Sequence, residues 1–479
     1  MMEDKSQSEV LTIKNAIKII KPGEPIVEPL KLKVYKKRWL MLIIYMIYSG
    51  SNFFQWIEYS IITNVVIRYY GVSSVMVNWT SMLYMVLYAM FIFPTSYMID
   101  KCGLRWTTII GAGINCLGAW IKIFSIQPDR FYVVFIGQSI VAFAQIMIVP
   151  LPGRLAAQWF PPTQLSTATS LSIFGIQLGV AFGFFLGPII VKNHNNLDDI
   201  GKDLSRLCWM IAIICTIVFV LMLTLFQNGP KLPPSETRAL QKMTKKREKF
   251  MEPIKRLYRN KNFILLCNSY GLNGGVFSVI STLLNQIFLA HFENGEEDAG
   301  RIGLIIILIG LVGSVSFGII LDKTHKYKQT AVTVYFLSFC GQILFTVFTC
   351  MGIKWMVYVS AIFLGYFMSG YMAMGYDLCT EYTYPESENI SAGLLNITSS
   401  IYGIILITSL GLLMNMYGDI PVHISLCLAL LLGFILTAIT KDEQRRQDTR
   451  KKAQFEGITR IEKQTEGVPE MTQLTYSIT

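Results

Sequence analysis

Within one long apolar stretch, residues 39–67, the chain places Asn52, Gln55, Trp56, Glu58, Tyr59 and Ser60. A run of that length can cross a hydrocarbon layer, which takes about 20 apolar residues. Polar and ionisable groups at such depth are costly, so they turn toward a cavity or a partner segment rather than lipid. Drawn as one helix, Asn52, Trp56, Tyr59 and Thr63 share a face at spacings of three and four. That face either lines a substrate path or forms a structural polar seam between helices. A ring on such a path suits an organic cation. A quaternary ammonium cannot donate N–H hydrogen bonds, but each ring face attracts it by roughly 0.5–2 kcal/mol.

The elements that must hold these groups are legible as hydrophobic runs. Of 479 residues, 52% are hydrophobic and only 15% charged, where soluble domains carry about 25% charged residues. About twelve apolar runs follow one another, at 39–67, 77–98, 105–126, 131–153, 166–191 and 204–227, then 262–291, 301–321, 330–351, 355–379, 391–415 and 421–440. The organisation expected is a polar tail 1–38, a six-helix bundle 39–227, a linker 228–261, a second bundle 262–440 and a tail 441–479. Pro230, Pro233, Pro234 and Pro253 mark the linker, which has room for a short amphipathic helix near 236–250. Residues 1–38 show no apolar core of a cleavable signal peptide.

The net charge of +11 does not point to nucleic acid, because the basic residues cluster before the first run, in the linker and after the last run. With six runs on each side of the linker, all three clusters fall on one side of a membrane. That is the positive-inside pattern and predicts cytoplasmic termini. The 9 cysteines lie mostly inside runs with no CxxC, and read as small apolar packing residues rather than disulfides or metal ligands.

An internal repeat supports two related halves. Ser96-Tyr-Met-Ile-Asp100-Lys101-Cys-Gly103-Leu-Arg105 follows the second run, and Gly318-Ile-Ile-Leu-Asp322-Lys323 follows the eighth, with the two aspartates 222 positions apart. Both copies resemble the cytoplasmic loop motif of the major facilitator superfamily, which implies that the Asp residues cap helices of the facing half at an inner gate. Moving 214 positions on from Trp56 reaches Tyr270. The repeat therefore predicts that Trp56 and Tyr270 lie at similar depth, facing one another across a central cavity. Gln145 is a candidate partner for a hydroxyl or amine at the other end of a ligand. Gly274 and Gly275, just after Asn273, either let this helix bend or let a neighbour pack closely.

A narrower resemblance rests on FQWIEY at 54–59, LGAWIK at 117–122, LPGRLAAQWF at 151–160, FGIQLGVAFGF at 174–184, STLLNQ at 281–286, AGRIGL at 299–304 and TYPESE at 383–388. In this order they resemble the feline leukaemia virus subgroup C receptor-related family of choline and haem transporters. The resemblance implies an all-α major facilitator fold of about twelve transmembrane helices in two pseudo-symmetric six-helix bundles. It implies facilitative uptake of choline or ethanolamine across the plasma membrane by a monomer, with haem export as the alternative. A receptor without net transport is the alternative of another class. The family's cation box falls on Trp56 and Tyr270, and its polar contacts fall on Asn52, Gln145 and, as a departure, Ser400. The family's Asn before Gln177 is Ile176 here. Glu58 stands where the family has Gln, so it is a candidate for cation attraction or proton coupling. Asp377 and Glu381 are expected near the inner gate. No cofactor, metal cluster or enzymatic constellation is indicated, and His194, His291, His325 and His423 all fall near loops or run ends, which is unfavourable for haem ligation by His.

Overall fold

A computed structural model describes residues 34–230, 251–386, 388–445 and 447. The expected linker helix near 236–250 and most of both tails lie outside the described residues. The described elements are helices. The first half holds α1 (Lys37–Ile57), α2 (Thr63–Tyr70), α3 (Ser74–Ile123), α4 (Phe131–Ile148), α5 (Leu151–Trp159), α6 (Leu165–Ile190) and α7 (Leu197–Leu225). After a short α8 (Met251–Leu257) come α9 (Lys261–Leu289), α10 (Glu296–Thr324), α11 (Tyr327–Cys350), α12 (Lys354–Thr383), α13 (Glu388–Tyr417) and α14 (Ile420–Ile439). Eleven helices are long and apolar enough to cross a membrane. The remaining crossing of the sequence reading is the second limb of α3, residues 104–123, which carries Asn115 and Lys122 and is less apolar for that reason.

The two limbs of α3 meet at Gly103, whose φ of 77° lies in the left-handed region that glycine enters without steric cost. Asn228 covers this corner. A Cβ on Gly103 would lie 3.1 Å from Asn228 Oδ1, and the same oxygen accepts from the Arg105 amide at 3.3 Å. The glycine of the repeated loop motif is thus a hinge between two crossings.

The first apolar run is not one helix, as the shared face of Asn52, Trp56, Tyr59 and Thr63 requires. α1 stops at Ile57, residues 58–62 form a turn, and α2 restarts at Thr63. The break is tolerated because protein groups satisfy the freed backbone, the condition for irregular chain at membrane depth. Asn285 Nδ2 donates to the Ile61 carbonyl at 2.8 Å, and Asn285 Oδ1 accepts from the Asn64 amide at 3.4 Å.

Small residues set the closest packing. A Cβ on Gly179 of α6 would lie 2.2 Å from the Gly50 carbonyl oxygen of α1, and one on Gly175 2.7 Å from Met46 Cα. Backbones approach this closely in membrane bundles only where side chains are absent. Gly274 and Gly275 also allow close packing: α9 runs unbroken in this conformation, with Gly274 against Ser399 and Gly275 against Tyr402 and Leu406 of α13.

The two halves are joined by hydrogen bonds at the end away from the chain termini. Besides Asn285, Gln286 Nε2 donates to Asn78 Oδ1 at 2.9 Å, Asn64 Nδ2 to Glu296 Oε1 at 2.7 Å, and Ser74 Oγ to Asn415 Oδ1 at 2.9 Å. Gly300 and Gly303 of α10 abut Phe184 of α6 across the same junction.

Candidate substrate site

The polar residues of α1 turn into the first bundle. Asn52 is fully buried, and its Nδ2 donates to Asn115 Oδ1 at 2.9 Å and to the Val141 carbonyl at 3.0 Å. Gln55 Nε2 donates to the same Asn115 oxygen at 3.2 Å. Gln138 Nε2 donates to the Gln55 carbonyl at 2.8 Å, and Tyr84 donates to Gln138 Oε1 at 2.9 Å. Asn52 therefore ties α1 to α3 and α4 through its Nδ2, while its Oδ1 is buried without a hydrogen-bond partner.

Glu58 opens the turn after α1, and Lys122 of the second α3 limb bonds its Oε1. Both side chains are 1% exposed, while Glu58 Oε2 is buried without a partner. The Lys122 ammonium also lies 5.7 Å from the Tyr59 ring centre. The pair sets the Glu58 charge against the Lys122 charge inside one bundle, beside the break in the first crossing. Asn115, Lys122, Gln138 and Tyr84 escaped the sequence reading. Asn115 and Lys122 are seven apart, on one helical face of an otherwise apolar run, and that was the available signal.

Tyr270 is buried on α9. Its ring meets Tyr376 of α12 edge-on, with centres 5.8 Å apart and planes at 68°. Gly375 makes room for it, since a Cβ there would lie 2.4 Å from Tyr270 Cδ2. Tyr376 donates to Asn396 Oδ1 at 2.8 Å. One turn along α9, Asn273 is fully buried with neither amide atom hydrogen-bonded. Buried polar groups are paired in the great majority of cases, and Asn273 is one of the exceptions here.

Two chains of contacts bear on the relative depth of Trp56 and Tyr270. The Ile61–Asn285 bond levels the two halves. At 1.5 Å per helical residue, Trp56 lies about 7 Å from that level and Tyr270 about 22 Å. A second path agrees. Ser81 Oγ donates to the Trp56 carbonyl at 3.3 Å, and one turn along α3 Met85 faces Gly403 and Ser278, the atoms a Cβ on Gly403 would meet at 2.8 and 3.4 Å. Met85 stands about 6 Å along α3 from Ser81, so Ser278 lies about one turn past the Trp56 carbonyl. Ile61 and Asn285 are 224 positions apart, close to the offset of the loop motif, so the 214 positions between Trp56 and Tyr270 leave the two residues staggered along their helices rather than in matched register.

The remaining candidates divide by level. Gln145 lies one turn beyond Val141, within about one turn of Tyr270 in depth. It is 7% exposed, and no hydrogen bond among the described residues holds its amide. Gln177 is half-buried on α6. Ser400 is half-buried and donates to the Asn396 carbonyl of its own helix at 3.0 Å. At the gate end, the exposed Lys101 ammonium stands 4.6 Å from the Tyr97 ring centre, and exposed Lys323 sits in the last turn of α10. The side chains of Asp100 and Asp322 lie outside the described residues. Exposed Asp377 and buried Glu381 sit toward the end of α12 that carries the termini, where Glu381 Oε2 accepts from the Gln447 amide at 3.3 Å.

Comparison with known proteins gives the same architecture. A family model described as Major Facilitator Superfamily matches residues 41–407. The choline/ethanolamine transporter FLVCR2 of Rattus norvegicus is 40% identical over 423 residues, 88% of this chain and 78% of that protein. The choline/ethanolamine transporter FLVCR1 of Felis catus is 42% identical over 414 residues, 86% of this chain and 74% of that protein. Among solved structures, a bacterial homolog of the human lysosomal transporter Spinster, inward-facing and unoccupied, superposes with a TM-score of 0.59 at 14% identity, covering 85% of this chain and 94% of that one. The E. coli fucose:proton symporter FucP gives 0.57 at 12% identity, with 84% and 99% covered. At those identities the likeness is one of fold.

Proposed function

We propose that this chain, which belongs to the Major Facilitator Superfamily and within it to the feline leukaemia virus subgroup C receptor family, carries choline- and ethanolamine-type cations by alternating access. The observation that carries the site is the unpaired, fully buried Asn273 amide, one turn from the Tyr270 ring. Around that level lie the aromatic pair Tyr270–Tyr376 and, from the first half, Gln145. Rings attract the ammonium by roughly 0.5–2 kcal/mol each, and amides serve the hydroxyl or amine end. Trp56 forms a second ring station nearer the opposite end of the bundle, so the cation meets the two in succession.

The basic clusters support cytoplasmic termini. On that orientation the hydrogen bonds around Asn285 and Gln286 close the outside, and the described conformation faces inward. A monomer in the plasma membrane with facilitative uptake is the simplest form of the reading. Glu58, bound to Lys122, is an anchor rather than a proton carrier. Counterflow of labelled choline and ethanolamine in proteoliposomes tests the proposal. Exchange of label against either unlabelled substrate is expected. Binding without counterflow would instead indicate a receptor, and neither would overturn the substrate class.

A further inference from the structure

At the end of the bundle away from the termini, four metal-competent side chains from three helix ends come together. His291 follows α9, Cys350 ends α11, and Asp419 and His423 bracket the start of α14. One ligand atom each of His291, Cys350 and Asp419 lies within 4.8 Å of the others, and His291 Nε2 is 2.6 Å from Asp419 Oδ2. His423 is fully buried, and its Nε2 has no hydrogen-bond partner. That atom lies 3.9 Å from Asp419 Oδ2. The other ring nitrogen, Nδ1, is 3.2 Å from Thr346 Oγ1. With the proton on Nδ1 held by Thr346, Nε2 presents a free lone pair, the arrangement that orients a ligating imidazole.

We propose that these four residues bind a divalent transition metal ion, zinc by its ligand chemistry. Two imidazoles, one thiolate and one carboxylate form a four-ligand set of the kind zinc takes. A tetrahedral zinc holds N and O at about 2.0–2.2 Å and S at about 2.3 Å, so ligand atoms stand roughly 3.3–3.6 Å apart. The ligand atoms of His291, Cys350 and Asp419 close in from within 4.8 Å of one another, and His423 joins from the Asp419 side, where its Nε2 is 3.9 Å from Oδ2. The ion displaces the His291–Asp419 hydrogen bond, and the Cys350 thiol gives its proton to water as it binds. Thiolate and carboxylate then balance the charge of the ion at the edge of the apolar bundle. The exposed Cys350 leaves an entry path, and the bound ion ties α9, α11 and α14 together. Nothing here depends on which substrate the bundle carries.

The test uses the purified full chain with zinc alone as probe. Equilibrium dialysis should find a saturable zinc site on each chain, and zinc should raise the thermal midpoint. Cys350→Ser, at an exposed position that folding does not need, and Asp419→Asn should each weaken binding by at least about tenfold and abolish the thermal shift. His194→Ala and His325→Ala, the histidines outside the cluster, should change neither. Absence of saturable binding, or a Cys350→Ser affinity within twofold of the parent, overturns the site.

Discussion

Lys122→Met probes the one fully buried ion pair described in the bundle. Glu58 and Lys122 are each 1% exposed, and Glu58 Oε2 already lacks a partner. Removing the ammonium strands a whole carboxylate inside the first half. Breaking a buried pair from one side costs about 3–5 kcal/mol, whereas replacing both partners with groups of similar volume is often neutral. Met keeps the aliphatic stem, whose Cγ lies 2.5 Å from an ideal Cβ on Gly137, so packing is little changed. For a unit of 150–250 residues, 1 kcal/mol moves a thermal midpoint by about 2–4 °C, giving a fall of roughly 6–20 °C. Cys208 and Cys215 are buried in the same bundle, so a thiol-reactive dye reads its unfolding directly. The double variant Glu58→Gln/Lys122→Met should recover most of the loss. A Lys122→Met midpoint within about 2 °C of the parent, or a double variant as low as the single, would refute the reasoning.

Three further outcomes follow from single contacts. Gly179→Leu places a side chain where even a Cβ comes within 2.2 Å of the Gly50 carbonyl, and should abolish the monodisperse peak in size-exclusion chromatography; a normal peak refutes the seam. Asn285→Leu leaves the Ile61 carbonyl and the Asn64 amide without their partner, at about 1–3 kcal/mol per buried orphan. It should raise labelling of a cysteine placed at Asn78 by an impermeant thiol reagent, and unchanged labelling would show that this bond does not hold the junction closed. Asn273→Leu removes two unsatisfied amide atoms, so stability should hold or rise while choline counterflow falls severalfold. Full counterflow would remove Asn273 from the site.

Much of the architecture was readable because it depends on composition and position alone. Run length gives the crossings, and basic clusters at 14–38, 242–259 and 445–452 mark one side. What the sequence hid is pairing across the chain. Lys122 reads as a misplaced charge until Glu58, 64 positions away, is found against it. The break at 58–62 is invisible in an apolar run, because the residue that permits it, Asn285, sits 224 positions from Ile61. Gly103 and Asn228 form one corner although the motif contains only the first.

The stagger between Trp56 and Tyr270 turns the two ring stations into a quantitative question. α1 and α9 run in the same direction, and rocking of one half against the other changes their tilt but does not slide either by two turns. If the two rings act as successive stations, as proposed, Trp56 and Tyr270 stay roughly 15 Å apart in Cα depth and do not grip one ammonium together. Sites more than 7–10 Å apart without shared partners combine their effects within about 0.3–0.5 kcal/mol, while residues gripping one group couple by about 0.5–3 kcal/mol. Trp56→Ala and Tyr270→Ala should each reduce saturable choline uptake, and the free-energy losses computed from uptake kcat/KM should add in the double variant. Tyr270→Phe, which keeps the ring, should retain most of the uptake that Tyr270→Ala loses. Coupling of about 1 kcal/mol or more between the two alanine variants would mean that both rings close on the same cation, and the depth argument built from Ile61 and Asn285 would fall.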